Sequence, residues 1–198
     1  MKKNTLILML SILMASLSQQ SNAGNIVNNA DYDYWRNLAT KYELFVAMKN
    51  DAINNNMNLS LDVLGSNSLA YILDPQNKKQ YLRAIKNALD TRIKKIRIGK
   101  GAGTSSVPSH LLFHALIALD VIRDDISPAE RKKYENMLKE KIFSLYTEKW
   151  RPHATAMRMM WYKYAGDTTN FDAARKQFDF ESEDANFLAD GVCKSQNG

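Results

Sequence analysis

The side chains best placed to do chemistry are three histidines, His110, His114 and His153. His110 and His114 are four residues apart, so on a helix they share one face. That spacing could hold a metal ion, but two ligands do not make a site and no carboxylate sits at a matching offset. No metal is therefore expected. One histidine should point inward as a hydrogen-bonded polar residue while the other lines a cleft. His153 closes the run Trp150-Arg151-Pro152-His153 at a predicted helix start. Free backbone amides at a helix start favour an anion, and the planar fork of Arg151 suits a carboxylate or a sulfate. An exposed aromatic beside an arginine can hold a sugar ring together with its acid group. The competing reading puts Trp150 in the core and Arg151 in solvent.

Other chemistries lack their motifs. There is no HExxH, no pair of closely spaced cysteines and no nucleophile-elbow serine. The glycine-rich stretch GKGAGTSS has its glycines and lysine in the wrong order for a phosphate-cradling loop. No cofactor is expected.

The elements that must position these residues read as helices joined by short turns. Tyr34, Trp35, Leu38, Tyr42 and Val46 recur at near-helical spacing over 31–50, and the asparagine-rich run 51–58 reads as a loop. A second helix spans 59–73 and stops at Asp74-Pro75. That pair also opens a third, with Asp74 capping its amides and Pro75 in its first turn. Gly99 should end the third helix. From Pro108 to Arg123 the chain is apolar almost all round, which predicts a central helix. Ser127-Pro128-Ala129-Glu130 spells a capping box. Pro152 opens the next helix, Gly166 ends it, and Thr169 caps the last. Seven such helices with short links predict an all-α fold of antiparallel helical hairpins.

The ends of the chain add a destination. Lys2 and Lys3, a short apolar run and the sequence Ser21-Asn22-Ala23 describe a secretory signal peptide over 1–23. Cleavage after Ala23 leaves one helical domain, 24–198, outside the cytoplasm, periplasmic or secreted. The apolar run is shorter than the ~20 residues a membrane span needs, so no stable insertion is expected after cleavage. The single cysteine, Cys193, excludes an internal disulfide. The formal charge is +6, of which Lys2 and Lys3 carry two and leave four on the mature domain. Such an excess favours anionic partners. Outside the cytoplasm the candidates are acidic polysaccharide, anionic lipid headgroups and scavenged nucleic acid. The last is the weakest, given the modest charge and the lack of a binding module, and no nucleic acid is expected.

Four segments then carry a resemblance: DVLGSNSLAYILDPQNKKQYLRAIKNAL, SHLLFHALIALDVIRDDISPAERKKYENML, KWRPHATAMRMMWYKYAGDTTNFDAARKQF and the closing FLADGVCKSQNG. In that order they are similar to the helical N-terminal region of heparinase II/III-like polysaccharide lyases. The resemblance implies part of an incomplete (α/α) toroid and β-elimination on an anionic, uronate-containing glycan. It implies that the chain corresponds to the first portion of such a lyase. It makes His153, His110 and Tyr162 the nearest counterparts of the catalytic groups, with Trp150, Arg151, Arg158 and His114 as substrate contacts. Non-catalytic carbohydrate binding on the same basic cleft is one alternative, and a periplasmic protein-interaction domain, with an exposed apolar patch in place of a polar groove, is another.

Overall fold

Local sequence cues set most of the boundaries. A computed structural model describes residues 26–27, 29–54, 63–98, 106–145 and 151–184. The signal segment, Trp150 and Cys193 lie outside the described residues. Within them the chain forms eight α-helices, one more than the seven expected, and no strand, so the fold is all-α as the periodicity predicts. These are α1 (Tyr32–Lys41), α2 (Glu43–Ile53), α3 (Val63–Leu73), α4 (Lys78–Arg92), α5 (Ser106–Ile122), α6 (Pro128–Phe143), α7 (Arg151–Ala165) and α8 (Thr168–Asp184).

The capping box at α6 forms in full: the Ser127 hydroxyl accepts from the Glu130 N–H, and Glu130 accepts from the Ser127 N–H. Two caps differ from expectation. The carboxylate of Asp74 accepts from the Asn77 side chain and the Tyr81 hydroxyl and bonds no backbone amide of α4. A 3-10 turn, Pro75–Asn77, intervenes before α4, so the cap position of that helix falls to Asn77 rather than Asp74. At α8 the cap is Asp167, whose Oδ1 accepts from the Asn170 N–H at 3.0 Å. Thr169 lies inside the first turn instead.

Four boundaries also move. The predicted helix over 31–50 is two, because Tyr42 adopts an extended conformation and the bend turns α2 onto α3. Helical structure continues through Ile53, into the asparagine-rich run. The third helix ends in a 3-10 turn at Lys95, ahead of Gly99. α5 begins at Ser106, two residues before Pro108, which a first turn tolerates because its amides have no intrahelical partner.

α5 is the central element. Leu112, Ala115, Leu116, Ala118, Leu119 and Ile122 are fully buried, and the helix packs against α3, α4, α6 and α7. The helices pair through short turns, α3 with α4 and α7 with α8, as helical hairpins. Polar ties fix the layers. Asp125 accepts from the Tyr71 hydroxyl and pairs with Lys78, joining the α5–α6 turn to α3 and α4. Asp90 pairs with Lys133, and Lys86 with Glu130, across α4 and α6. Arg36 Nε donates to the Ile72 carbonyl at 2.7 Å, where α3 ends and its carbonyls lack helical partners.

One acid interrupts the apolar surface of α5. The Asp120 side chain is 1% exposed, and its Oδ2 accepts from the N–H of Ile26 at 2.9 Å and of Val27 at 2.8 Å. It therefore holds a segment more than ninety positions earlier in the chain. Arg123 lies 3.6 Å from the other oxygen. Burial pushes this carboxyl up to about 6, against the pull of both amides and Arg123.

Candidate functional site: the groove between α7 and α8

The α7–α8 turn builds the groove. Gly166 has a φ of 71°, a left-handed conformation that glycine adopts without a Cβ clash. The N–H of Gly166 then reaches the Lys163 carbonyl and that of Asp167 the Tyr162 carbonyl, at 3.2 and 2.9 Å. This paired closure is a Schellman turn, and it satisfies carbonyls that the helix end leaves open. Asp167 starts α8 at once, so Asn170, Ala173, Ala174 and Gln177 face Thr155, Arg158 and Tyr162 of α7.

These seven residues and Phe143, at the end of α6, line a space of about 250 Å³. No acid is among them. Arg158 is half-buried; its guanidinium lies 6.0 Å from the Phe143 ring centroid, and its buried Nε has no hydrogen-bond acceptor among the described residues. Phe143 in turn meets Tyr162 edge-on, with centroids 5.8 Å apart. The arrangement sets one planar cation, a phenol and two side-chain amides around a small opening, with Thr155 buried in the wall and the Asn170 amide nitrogen donating to Asp167 at 2.7 Å. Ala173 and Ala174 leave room opposite the arginine. Such a set can hold one carboxylate or sulfate and hydrogen-bond the hydroxyls beside it. The volume lies just under the roughly 300–1,000 Å³ typical of small-molecule pockets, so it fits a single anionic ring rather than a long ligand.

Of the residues expected from sequence, Arg158 and Tyr162 are brought together here. His153 stands half-buried in the first turn of α7 and does not line the groove. Burial holds its imidazole below the usual range, which keeps it neutral at pH 7. His110 and His114 meet on α5 with their rings tilted by 60° and centroids 4.2 Å apart. His114 is the inward one, buried against Gly65 of α3, where an added Cβ would sit 3.5 Å from the imidazole. His110 is exposed. Neither lines the α7–α8 groove. Arg151 opens α7 by its backbone, and its side chain lies outside the described residues, as does Trp150.

Sequence reading passed over Phe143, Thr155, Asn170 and Gln177. A signal existed for part of the set. Thr155, Arg158 and Tyr162 follow i, i+3, i+7 on α7, and Asn170, Ala173, Ala174 and Gln177 follow i, i+3, i+4, i+7 on α8. Two such faces joined by a glycine turn must meet.

The chain matches no protein-family model, no curated protein and no solved structure. The geometry of the groove is therefore the basis for a functional reading.

Proposed function

We propose that this domain recognises an anionic, uronate-containing polysaccharide, with one sugar acid seated in the α7–α8 groove. The observation that carries the reading is Arg158: a half-buried guanidinium whose buried Nε has no acceptor, and whose groove has no acid in its lining, among the described residues. A carboxylate bound there replaces water on the fork with a charge-assisted pair. The Asn170 amide oxygen, whose nitrogen is held by Asp167, then accepts from a ring hydroxyl, and Phe143 and Tyr162 close the apolar side. The helical hairpins are assigned to part of an (α/α) toroid on the same resemblance, with this groove as one wall of its cleft.

Titration calorimetry with short uronate oligosaccharides and with neutral ones of equal length tests the reading. Binding of the acidic set alone, weakened roughly ten- to hundred-fold in Arg158→Gln, is expected from the loss of a charged hydrogen bond. Equal affinity for both sets, or for both proteins, refutes it.

A second reading, β-elimination, is favoured by Tyr162 standing on the same helix face as Arg158. In that chemistry the clamp neutralises the uronate carboxylate, a base takes the C5 proton, the bond from C4 to the leaving oxygen breaks and an acid protonates that oxygen. Tyr162 is the one expected catalytic side chain that lines the groove. His153, neutral through burial, and His110 would need the substrate to extend beyond it. Ultraviolet absorbance of an unsaturated product, present in the native chain and lost in Tyr162→Phe, distinguishes a lyase from a binder.

A further inference from the structure

A second surface, on the α3–α4 hairpin, has different chemistry. No acid occurs between Asp90 and Asp120, while Arg92, Lys94, Lys95, Arg97 and Lys100 fall within that stretch. Ile93 and Ile96 are buried, and they pin this ribbon to the core so that Arg92, Lys94, Lys95 and Arg97 all face solvent. Across the α4–α6 contact two lysines are neutralised, Lys86 by Glu130 and Lys133 by Asp90. The four cations of the ribbon have no acidic partner among the described residues. Lys141 adds a fifth, its ammonium donating to the Ile96 carbonyl at 3.2 Å.

Beside the ribbon is a cavity of about 430 Å³. Its floor is Leu64 from α3, Leu111 from α5 and Ile96, and its rim is Thr91, Arg92 and Lys95. Aliphatic side chains below and cations above describe a receptor for an amphiphile whose head is negative. A sugar acid fits less well: no aromatic face is among the described lining, and branched aliphatics offer a pyranose ring nothing flat to stack on. An acyl chain gains by leaving water for such a floor, and a phosphate head gains from the rim. We infer that the Thr91–Arg97 ribbon and the cavity beneath it dock the domain onto an anionic phospholipid surface, one acyl chain entering between Leu64, Ile96 and Leu111. This surface is separate from the α7–α8 groove, and either reading can fail without the other.

Co-sedimentation of the full chain tests the proposal, using phosphatidylcholine vesicles with and without phosphatidylglycerol. Binding should require phosphatidylglycerol and weaken with salt, because the Debye length shortens. Arg92→Gln with Lys95→Gln should lower it by roughly 25-fold, about five-fold for each cation near a charged surface. Lys132→Gln with Lys139→Gln removes the same charge from exposed positions of α6 and should leave most of the binding. All four side chains are exposed, so folding is not at stake, and far-ultraviolet circular dichroism verifies it. Short-chain phosphatidylglycerol should compete with vesicles far better than glycerol phosphate, which has the head without the chains. Equal loss in the two double variants, equal competition by glycerol phosphate, or binding to pure phosphatidylcholine overturns the proposal. So does loss of acidic-polysaccharide binding, rather than vesicle binding, in the Arg92/Lys95 variant.

Discussion

Replacing Asp120 with asparagine should change how stability depends on pH, and the magnitude follows from where this carboxyl sits. Its ordinary value is 3.8, and burial in α5 raises it to about 6 in the folded chain. The amides of Val27 and Ile26 and the Arg123 guanidinium pull the other way, and Asp124 adds a smaller push upward. A carboxyl with a raised folded value binds its proton more tightly folded than unfolded. Its contribution to stability is therefore complete below about pH 3.8 and is lost as pH rises through about 6. Two pH units at 1.36 kcal/mol each make the loss about 3 kcal/mol. Asparagine resembles the protonated acid: its one amide oxygen can accept from both Ile26 and Val27, as Oδ2 does now. The variant minus wild-type difference in urea unfolding free energy should thus be nearly flat below pH 4. It should then climb by about 3 kcal/mol toward pH 8 in favour of the variant. Taking the difference cancels Asp74, Asp125, Glu130 and Asp167, whose lowered values give the native chain an opposite slope. A difference independent of pH, or one that grows on acidification, would show that water reaches Asp120 and would refute the burial argument.

Other outcomes follow from the same geometry. Asp120→Ala leaves the buried amides of Ile26 and Val27 without an acceptor, at about 1–3 kcal/mol each, unless the segment detaches. Hydrogen exchange should show those two amides losing protection first. Gly166→Ala forces a side chain into a left-handed backbone and should cost about 1–2 kcal/mol in chemical unfolding. By tilting α8 away from α7 it should also weaken uronate binding. Ser127→Ala should cost about 1 kcal/mol of stability through the lost cap, with uronate affinity unchanged because α6 starts far from the groove. Leu116→Ala, fully buried in the central helix, should cost about 2–5 kcal/mol by thermal or urea unfolding.

The parts of the fold legible in the sequence are those decided within one turn of chain. The capping box at Ser127, the glycine stop at Gly166 and the all-round apolar run of α5 each depend on neighbours three or four residues away. Where two local candidates compete, the outcome turns on a spacing that composition alone does not fix. Thr169 and Asp167 are both good caps. Asp167 wins because the Schellman turn at Gly166 releases the chain only one residue before α8 begins. Asp74 loses its capping role for a related reason: a 3-10 turn moves the cap position of the α-helix on to Asn77.

Asp120 and the groove are harder to read for a different reason, since their partners lie far along the chain. An aspartate among apolar residues on every side of a helix is a signal, because a buried carboxylate must find donors. The sequence does not say which donors, and the amides of Ile26 and Val27 are backbone groups that every residue carries. The groove is an intermediate case. Each of its walls follows a helical face that can be counted from the sequence, and the link between them is two residues long. The histidines illustrate the converse. They drew attention by residue type, yet His114 is taken up by packing on Gly65 and His153 by burial, whereas Arg158, expected only as a substrate contact through the resemblance, has a guanidinium nitrogen without a protein acceptor among the described residues. A cation built into a wall and left without an acid is a stronger pointer to a ligand than a reactive side chain whose surroundings already accommodate it.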